Sequence, residues 1–184
     1  MQVEVVMAGF GGQGLMLIGK LLAEAGMEAG LEVSWLPSYG PEMRGGTANC
    51  TVVISDRPVG SPIVKNPRDV VAMNLPSLDK FEPVMKAGGF LVINSALINR
   101  EASRSDVHVC RVPANEIALQ CGNARAANMV ALGAYIGCAG ILPIQRIEHA
   151  IQETFEKKPE LAKLNLQAFA RGLELAQGQG KGAQ

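Results

Sequence analysis

The run Val3-Glu4-Val5-Val6-Met7-Ala8-Gly9-Phe10-Gly11-Gly12-Gln13-Gly14 constrains this chain more than any other. A continuous apolar stretch of strand length enters a glycine turn, and apolar residues then recur at helical spacing: Leu15, Ile18, Leu21, Leu22, Ala25. A strand without polar alternation is buried on both faces, which is the habit of a sheet flanked by helices. The order strand, glycine turn, helix also creates a chemical opportunity. The first amides of a helix lack partners within it and sit at the positive end of its dipole. Glycines there let a phosphate or carboxylate approach the backbone. Gly9, Gly11, Gly12, Gln13 and Gly14 are therefore candidate binding positions. The plainer reading is that these glycines only permit close packing of helix on strand.

A dinucleotide site requires more. An acidic residue at the end of the second strand must hold the ribose hydroxyls. The second strand is expected over Glu32–Leu36, and it exits into Pro37-Ser38-Tyr39-Gly40. Glu32 lies at the wrong end, and Glu42 falls beyond the strand in a Pro/Gly turn. The missing ribose acid disfavours a self-sufficient NAD-dependent enzyme.

The segment from Ser38 to Cys50 follows that strand and should emerge at the same sheet edge as the glycine turn, where open α/β sheets bind ligands. Gly40-Pro41 starts a turn and Gly45-Gly46 reopens an extended run. Tyr39, Glu42 and Arg44 are thus polar groups on a punctuated loop. Arg44 suits a two-pronged contact to phosphate or carboxylate. A salt bridge to Glu42 or simple solvation explains it equally, Met43 suits a buried plug or a partner surface, and the Tyr39 ring suits edge packing.

Together, Gly9-Phe10-Gly11-Gly12-Gln13-Gly14 and Tyr39-Gly40-Pro41-Glu42-Met43-Arg44-Gly45-Gly46 resemble the gamma subunit of 2-oxoacid:ferredoxin oxidoreductases, nearest the 2-oxoglutarate and branched-chain (2-oxoisovalerate) branch. The resemblance runs from Val3 to about Leu173. It implies a complex that decarboxylates a 2-oxoacid on thiamine diphosphate, sends electrons through iron–sulfur clusters to ferredoxin, and transfers the acyl group to coenzyme A. It places thiamine diphosphate and the clusters in alpha, beta and delta-type partners. The gamma chain would support the coenzyme A region and assembly, holding no tightly bound cofactor and no catalytic residue of its own. A stand-alone nucleotide- or coenzyme A-binding module is the alternative.

Composition bears on partners. Lys+Arg and Asp+Glu number 17 each, so no charge excess points to nucleic acid or an acidic membrane face. Aromatics make up 4%, too few to favour base stacking. No basic leader and no apolar run of membrane-spanning length is apparent, so a cytoplasmic protein is expected. Cys50, Cys110, Cys121 and Cys138 show no C-x-x-C spacing, which argues against a cluster or structural zinc and for reduced, mostly buried thiols. His108 and His149 lack a third ligand nearby, and no G-x-S-x-G or H-E-x-x-H occurs.

The remaining pattern predicts a single α/β domain over residues 1–177 and a flexible tail over 178–184. The fold class is a three-layer α/β/α sandwich with a mainly parallel, mixed sheet and a Rossmann-like glycine loop. Strands are expected at Val3–Ala8, Glu32–Leu36, Val70–Met73, Phe90–Asn94 and Val107–Val112. Thr47–Ser55 follows strand two too closely for a helical crossover, so it should run antiparallel or at the edge. Helices are expected at Gly14–Ala29, Ser77–Ala87, Ala114–Gln120, Ala124–Gly140, Pro143–Lys157 and Pro159–Gln177, with Gly88-Gly89 ending the second. Asn123 is a cap candidate, and Arg125 with Asn128 forms a second candidate ligand or interface patch. Asn74 and Ser95 end strands, where turn formation explains them as well as ligand contact.

Overall fold

A computed structural model describes residues 1–39 and 46–180. Six strands form one sheet: β1 (Gln2–Phe10), β2 (Glu32–Tyr39), β3 (Thr47–Ser55), β4 (Asp69–Ala72), β5 (Phe90–Asn94) and β6 (His108–Val112). Their order is β2-β3-β1-β4-β5-β6. β1, β4, β5 and β6 pair in parallel, while β3 pairs antiparallel to both β1 and β2. β1 is buried from Val3 through Gly9, as its unbroken apolar run requires of a strand covered on both faces.

The antiparallel direction of β3 follows from its short connection to β2. Its place does not: β3 lies inside the sheet, and β2 is the edge. The ends of β1 and β2 are therefore not neighbours, because Thr47 and Ala48 of β3 stand between Phe10 and Tyr39.

Helices α1 (Leu15–Glu28), α3 (Ala114–Gln120), α4 (Ala127–Ala139), α5 (Ile144–Thr154) and α6 (Pro159–Gly180) build one layer. Among the described residues, the opposite face carries α2 (Leu75–Phe81), a 3₁₀ turn over Glu82–Val84 and the loop bearing Ile98. The larger core lies under α4, whose residues from Ala127 to Ile136 are all buried. A buried link fastens α4 to the sheet. The Tyr135 hydroxyl donates to Asp69 Oδ2 at 2.8 Å, and the Phe90 amide donates to Asp69 Oδ1 at 2.9 Å.

Local chemistry sets the helix ends. Asn74 caps α2 by accepting from the Ser77 amide at 2.9 Å. α2 stops at Phe81, before the glycine pair expected to end it, because Pro83 has no amide to continue the ladder. Asn123 caps the next segment by accepting from the Arg125 amide at 2.9 Å. That segment opens as a 3₁₀ turn, Ala124–Ala126, before α4 begins. α6 continues to Gly180, beyond the expected end at Gln177.

Candidate functional site

The glycine turn joins β1 to α1 at the carboxyl end of the parallel strands. Gly12 and Gly14 have φ of 93° and 75°, a region that costs residues with a Cβ about 1 kcal/mol or more. The turn is held from within. Gln13 folds back so that its Oε1 accepts from the Phe10 amide at 2.6 Å, while its Nε2 donates to the Met73 carbonyl at 3.4 Å. Gly9 makes this fold possible, since a Cβ there would sit 2.3 Å from Gln13 Oε1. Gly11 donates to the Gly46 carbonyl at 2.9 Å, tying the turn to the start of β3.

Gly14 plays a second packing role. Asn128 Nδ2 donates to its carbonyl at 3.1 Å, and a Cβ on Gly14 would lie 2.3 Å from that nitrogen. Asn128 is thus a buried clamp between α4 and the turn rather than a ligand-facing group. No side chain caps α1, so its first amides keep the donor character of an open helix start.

Two hollows flank the turn. One, about 260 Å³, lies between Gly11, Gly12 and Gly14 on one side and Tyr39, Thr47 and Ala48 on the other, with Phe10 and Met16 in its wall. It is mostly apolar, and Phe10 and Tyr39 remain 39% and 61% exposed at its rim. The other, about 210 Å³, is bordered by Gly12, Gln13, Met73, Asn115 and Arg125. It sits between β1 and β4, where the helices that follow pass to opposite faces of the sheet. Open α/β sheets bind ligands at such a point. A Cβ on Gly12 would meet nothing within 4 Å, so the crest between the hollows is free.

The structure thus brings Gly11, Gly12, Gly14 and Tyr39 to one cleft and sets Gln13 and Arg125 in the adjoining hollow. Gly9 lies beneath the turn. Glu42 and Arg44 lie outside the described residues. Asn115 carries no signal at the sequence level. It borders the second hollow because its Oδ1 accepts from Asn94 Nδ2 at 2.8 Å, and Asn94 also accepts from the Ala96 and Ala114 amides. Asn94 is therefore buried and structural. Asn74, the other strand-end asparagine, spends its oxygen on the α2 cap.

Ligand-capable groups elsewhere have local roles. Burial pushes the Cys50 thiol up to about 12, despite hydrogen bonds with the Trp35 side chain and the Gly19 backbone. Among the described residues, the group with metal-like spacing is Glu28, His149 and Glu153. Its His149 Nδ1 already lies 3.1 Å from both Glu28 oxygens, and Arg146 stands 3.8 Å from the same carboxylate. His108 stacks on Phe90 with ring centroids 5.0 Å apart. The four thiols do not converge, so they do not fit an iron–sulfur cluster. No helix among the described residues is long and apolar enough to cross a membrane.

Comparison with known proteins places this architecture in a family of oxidoreductase chains. Residues 4–175 match the family described as pyruvate ferredoxin/flavodoxin oxidoreductase, and the chain belongs to that family. Within it, the chain is similar to the keto/oxoacid ferredoxin oxidoreductase gamma subunit from Geobacter sulfurreducens. That structure superposes with a TM-score of 0.83 at 30% identity, over 96% of this chain and 99% of the other. The 2-oxoglutarate:ferredoxin oxidoreductase from Magnetococcus marinus, solved with 2-oxoglutarate, coenzyme A and succinyl-CoA bound, matches with a TM-score of 0.88 at 26% identity. It covers 96% of this chain and 31% of the larger one. The ketoisovalerate oxidoreductase subunit VorA of Methanothermobacter thermautotrophicus is 44% identical over 95% of this chain. The chain spans 36% of that relative's length.

Proposed function

We propose that this chain is the gamma subunit of a thiamine-diphosphate-dependent 2-oxoacid:ferredoxin oxidoreductase. It would serve oxidative decarboxylation of a 2-oxoacid to an acyl-CoA by supporting the coenzyme A region and subunit assembly. The observation that carries this reading is its match to nearly the whole length of a gamma subunit at 30% identity. The same module forms 31% of a larger chain that was solved with coenzyme A. That fits a part whose work is done against partners. The dispersed thiols support placing the clusters, and with them the thiamine diphosphate, in alpha, beta and delta-type subunits that pass electrons to ferredoxin.

The residues at the sheet edge suit coenzyme A. An apolar cleft accommodates a pantetheine-like chain, and helix-start amides with Arg125 favour an anionic end. Tyr39, Glu42 and Arg44 complete this face in the proposal, with Gly9, Gly11, Gly12, Gln13 and Gly14 shaping the turn. A carboxylate of the alpha-type subunit would use the same donors. Replacing Arg44 with alanine separates the two. Loss of a desolvated charged hydrogen bond is worth about 1.5–3 kcal/mol, or a roughly tenfold to hundredfold effect. We expect it as a raised KM for coenzyme A with the assembled complex intact, or as weakened assembly. An unchanged KM together with unchanged assembly would remove Arg44 from the site.

A further inference from the structure

The end of α1 meets α5 beside the larger core. Ile147, Ala150 and Ile151 turn inward from α5 and share that core with Leu21, Leu22 and Ala25 of α1. The neighbouring stripe of α5 carries Arg146, His149 and Glu153. His149 and Glu153 are four residues apart, so they project from one side of the helix. Glu28, the last residue of α1, reaches the same place. One ligand atom from each of Glu28, His149 and Glu153 lies within 4.8 Å of the other two. The closest pair is already defined, with His149 Nδ1 at 3.1 Å from both Glu28 oxygens.

We infer that Glu28, His149 and Glu153 form an interhelical site for a divalent transition metal, with zinc as the ion it suits. Zinc would fasten the end of α1 to α5. Ligand atoms around zinc, at bonds of about 2.0–2.2 Å, stand about 3–3.5 Å from one another. The Glu28–His149 separation meets that spacing as it stands. Glu153 is exposed, and rotation of its side chain supplies the remaining approach. An imidazole with two carboxylates is a nitrogen and oxygen set, which selects zinc over a hard ion such as magnesium and over a thiolate-seeking ion. Three protein ligands leave one position of a tetrahedron to water. Zinc takes the lone pair of Nδ1, and the ring proton then resides on Nε2.

The backbone supports this assignment in two ways. Glu28 and Glu153 each lie in the last turn of a helix, where the dipole is negative, and neither last turn holds a basic residue. A dication between them offsets both carboxylates and both helix ends. The scaffold is also fixed, because Ala25, Ile147 and Ile151 are fully buried and only side chains need to move. Two other ion-pairing groups lie close in sequence to the ligands. Lys20 is paired with Glu24 at 3.2 Å, one turn before Glu28. Arg146 stands 3.8 Å from Glu28 and is half exposed, so it competes with the metal and can swing into solvent.

Zinc chloride titrated into the full chain in a calorimeter, with thermal unfolding followed with and without the ion, tests this. We expect saturation at one ion per chain and a Tm that zinc raises. His149→Ala should weaken binding at least about tenfold and abolish the rise, with the metal-free Tm nearly unchanged. Glu28→Gln should weaken binding in the same way. Arg146→Ala should tighten it, a response that an ordinary surface ion-pair network would not give. His108→Ala and Cys121→Ser should leave it intact, and magnesium chloride should not saturate. Absence of saturable zinc binding, binding that survives His149→Ala, binding lost in His108→Ala or Cys121→Ser, or weaker binding in Arg146→Ala would overturn the proposal. The titration needs no partner subunit, so its outcome is independent of the reading above.

Discussion

Gly12 and Gly14 look equivalent as letters and do different work. Gly14 is enclosed, and a methyl there would strike Asn128 as well as strain a positive φ. Gly12 has the positive φ with open space around it. Gly14→Ala should therefore cost roughly 2–4 kcal/mol, combining backbone strain with overpacking. Gly12→Ala should cost only about 1 kcal/mol. Urea denaturation of both variants checks the difference, and equal losses would contradict it. Asp69 supplies a second contrast. Burial raises its carboxyl, and donation from Phe90 and Tyr135 opposes that rise. A carboxyl whose folded pKa is raised gives its stability below the unfolded value and loses it as pH climbs through the folded one. Tyr135→Phe removes a donor that favours the charged form, so Asp69 rises further. The variant should lose about 1–3 kcal/mol at neutral pH and less in acid, where Asp69 is protonated. Unfolding at the two pH values measures this, and a loss that is larger in acid would contradict it.

The crossing of α4 and α6 decides stability at the scale of elements. Their backbones touch through glycine: a Cβ on Gly133 would lie 2.0 Å from the Phe169 carbonyl oxygen, and one on Gly172 would lie 2.0 Å from that of Val130. Gly133→Ala must push the helices apart, at a cost of roughly 1–3 kcal/mol. Gly178→Ala, with nothing within 4 Å, should be neutral or slightly stabilising. Thermal unfolding of the pair tests the contact, and a neutral Gly133→Ala would exclude it. Elements coded by adjacent residues were legible from the letters. β1, the turn and α1 are one local pattern, and the Asn123 cap lies beside the segment it starts. Pairings across the chain were not legible. The length of the β2–β3 connection dictated an antiparallel hairpin, but nothing local says that β3 inserts beside β1. The same limit hid the clamping role of Asn128, whose partner is Gly14 and which the sequence suggested as a ligand or interface residue, and it hid Asn115, held by Asn94. Pro83 was readable, but the following glycine pair drew the helix end too far along the chain.

At the scale of the whole molecule, the chain spans nearly all of a gamma subunit and about a third of two larger relatives. A module that recurs both separately and within longer chains must keep its fold while meeting partners in either setting. The exposed rim at Phe10 and Tyr39 and the outer edge of β2, the last strand of the sheet among the described residues, are surfaces on which such contacts can form. We propose above that this chain joins an oxidoreductase whose redox groups lie in other subunits. The direct measurement is reconstitution. The thiamine- and cluster-binding subunits are assayed for coenzyme A-dependent reduction of ferredoxin with 2-oxoglutarate and with 2-oxoisovalerate, alone and after this chain is added. We predict no activity from the chain by itself and a gain in coenzyme A-dependent turnover with at least one of these acids when it joins the others. Full turnover without it, or oxoacid oxidation by the purified chain alone, would contradict the account.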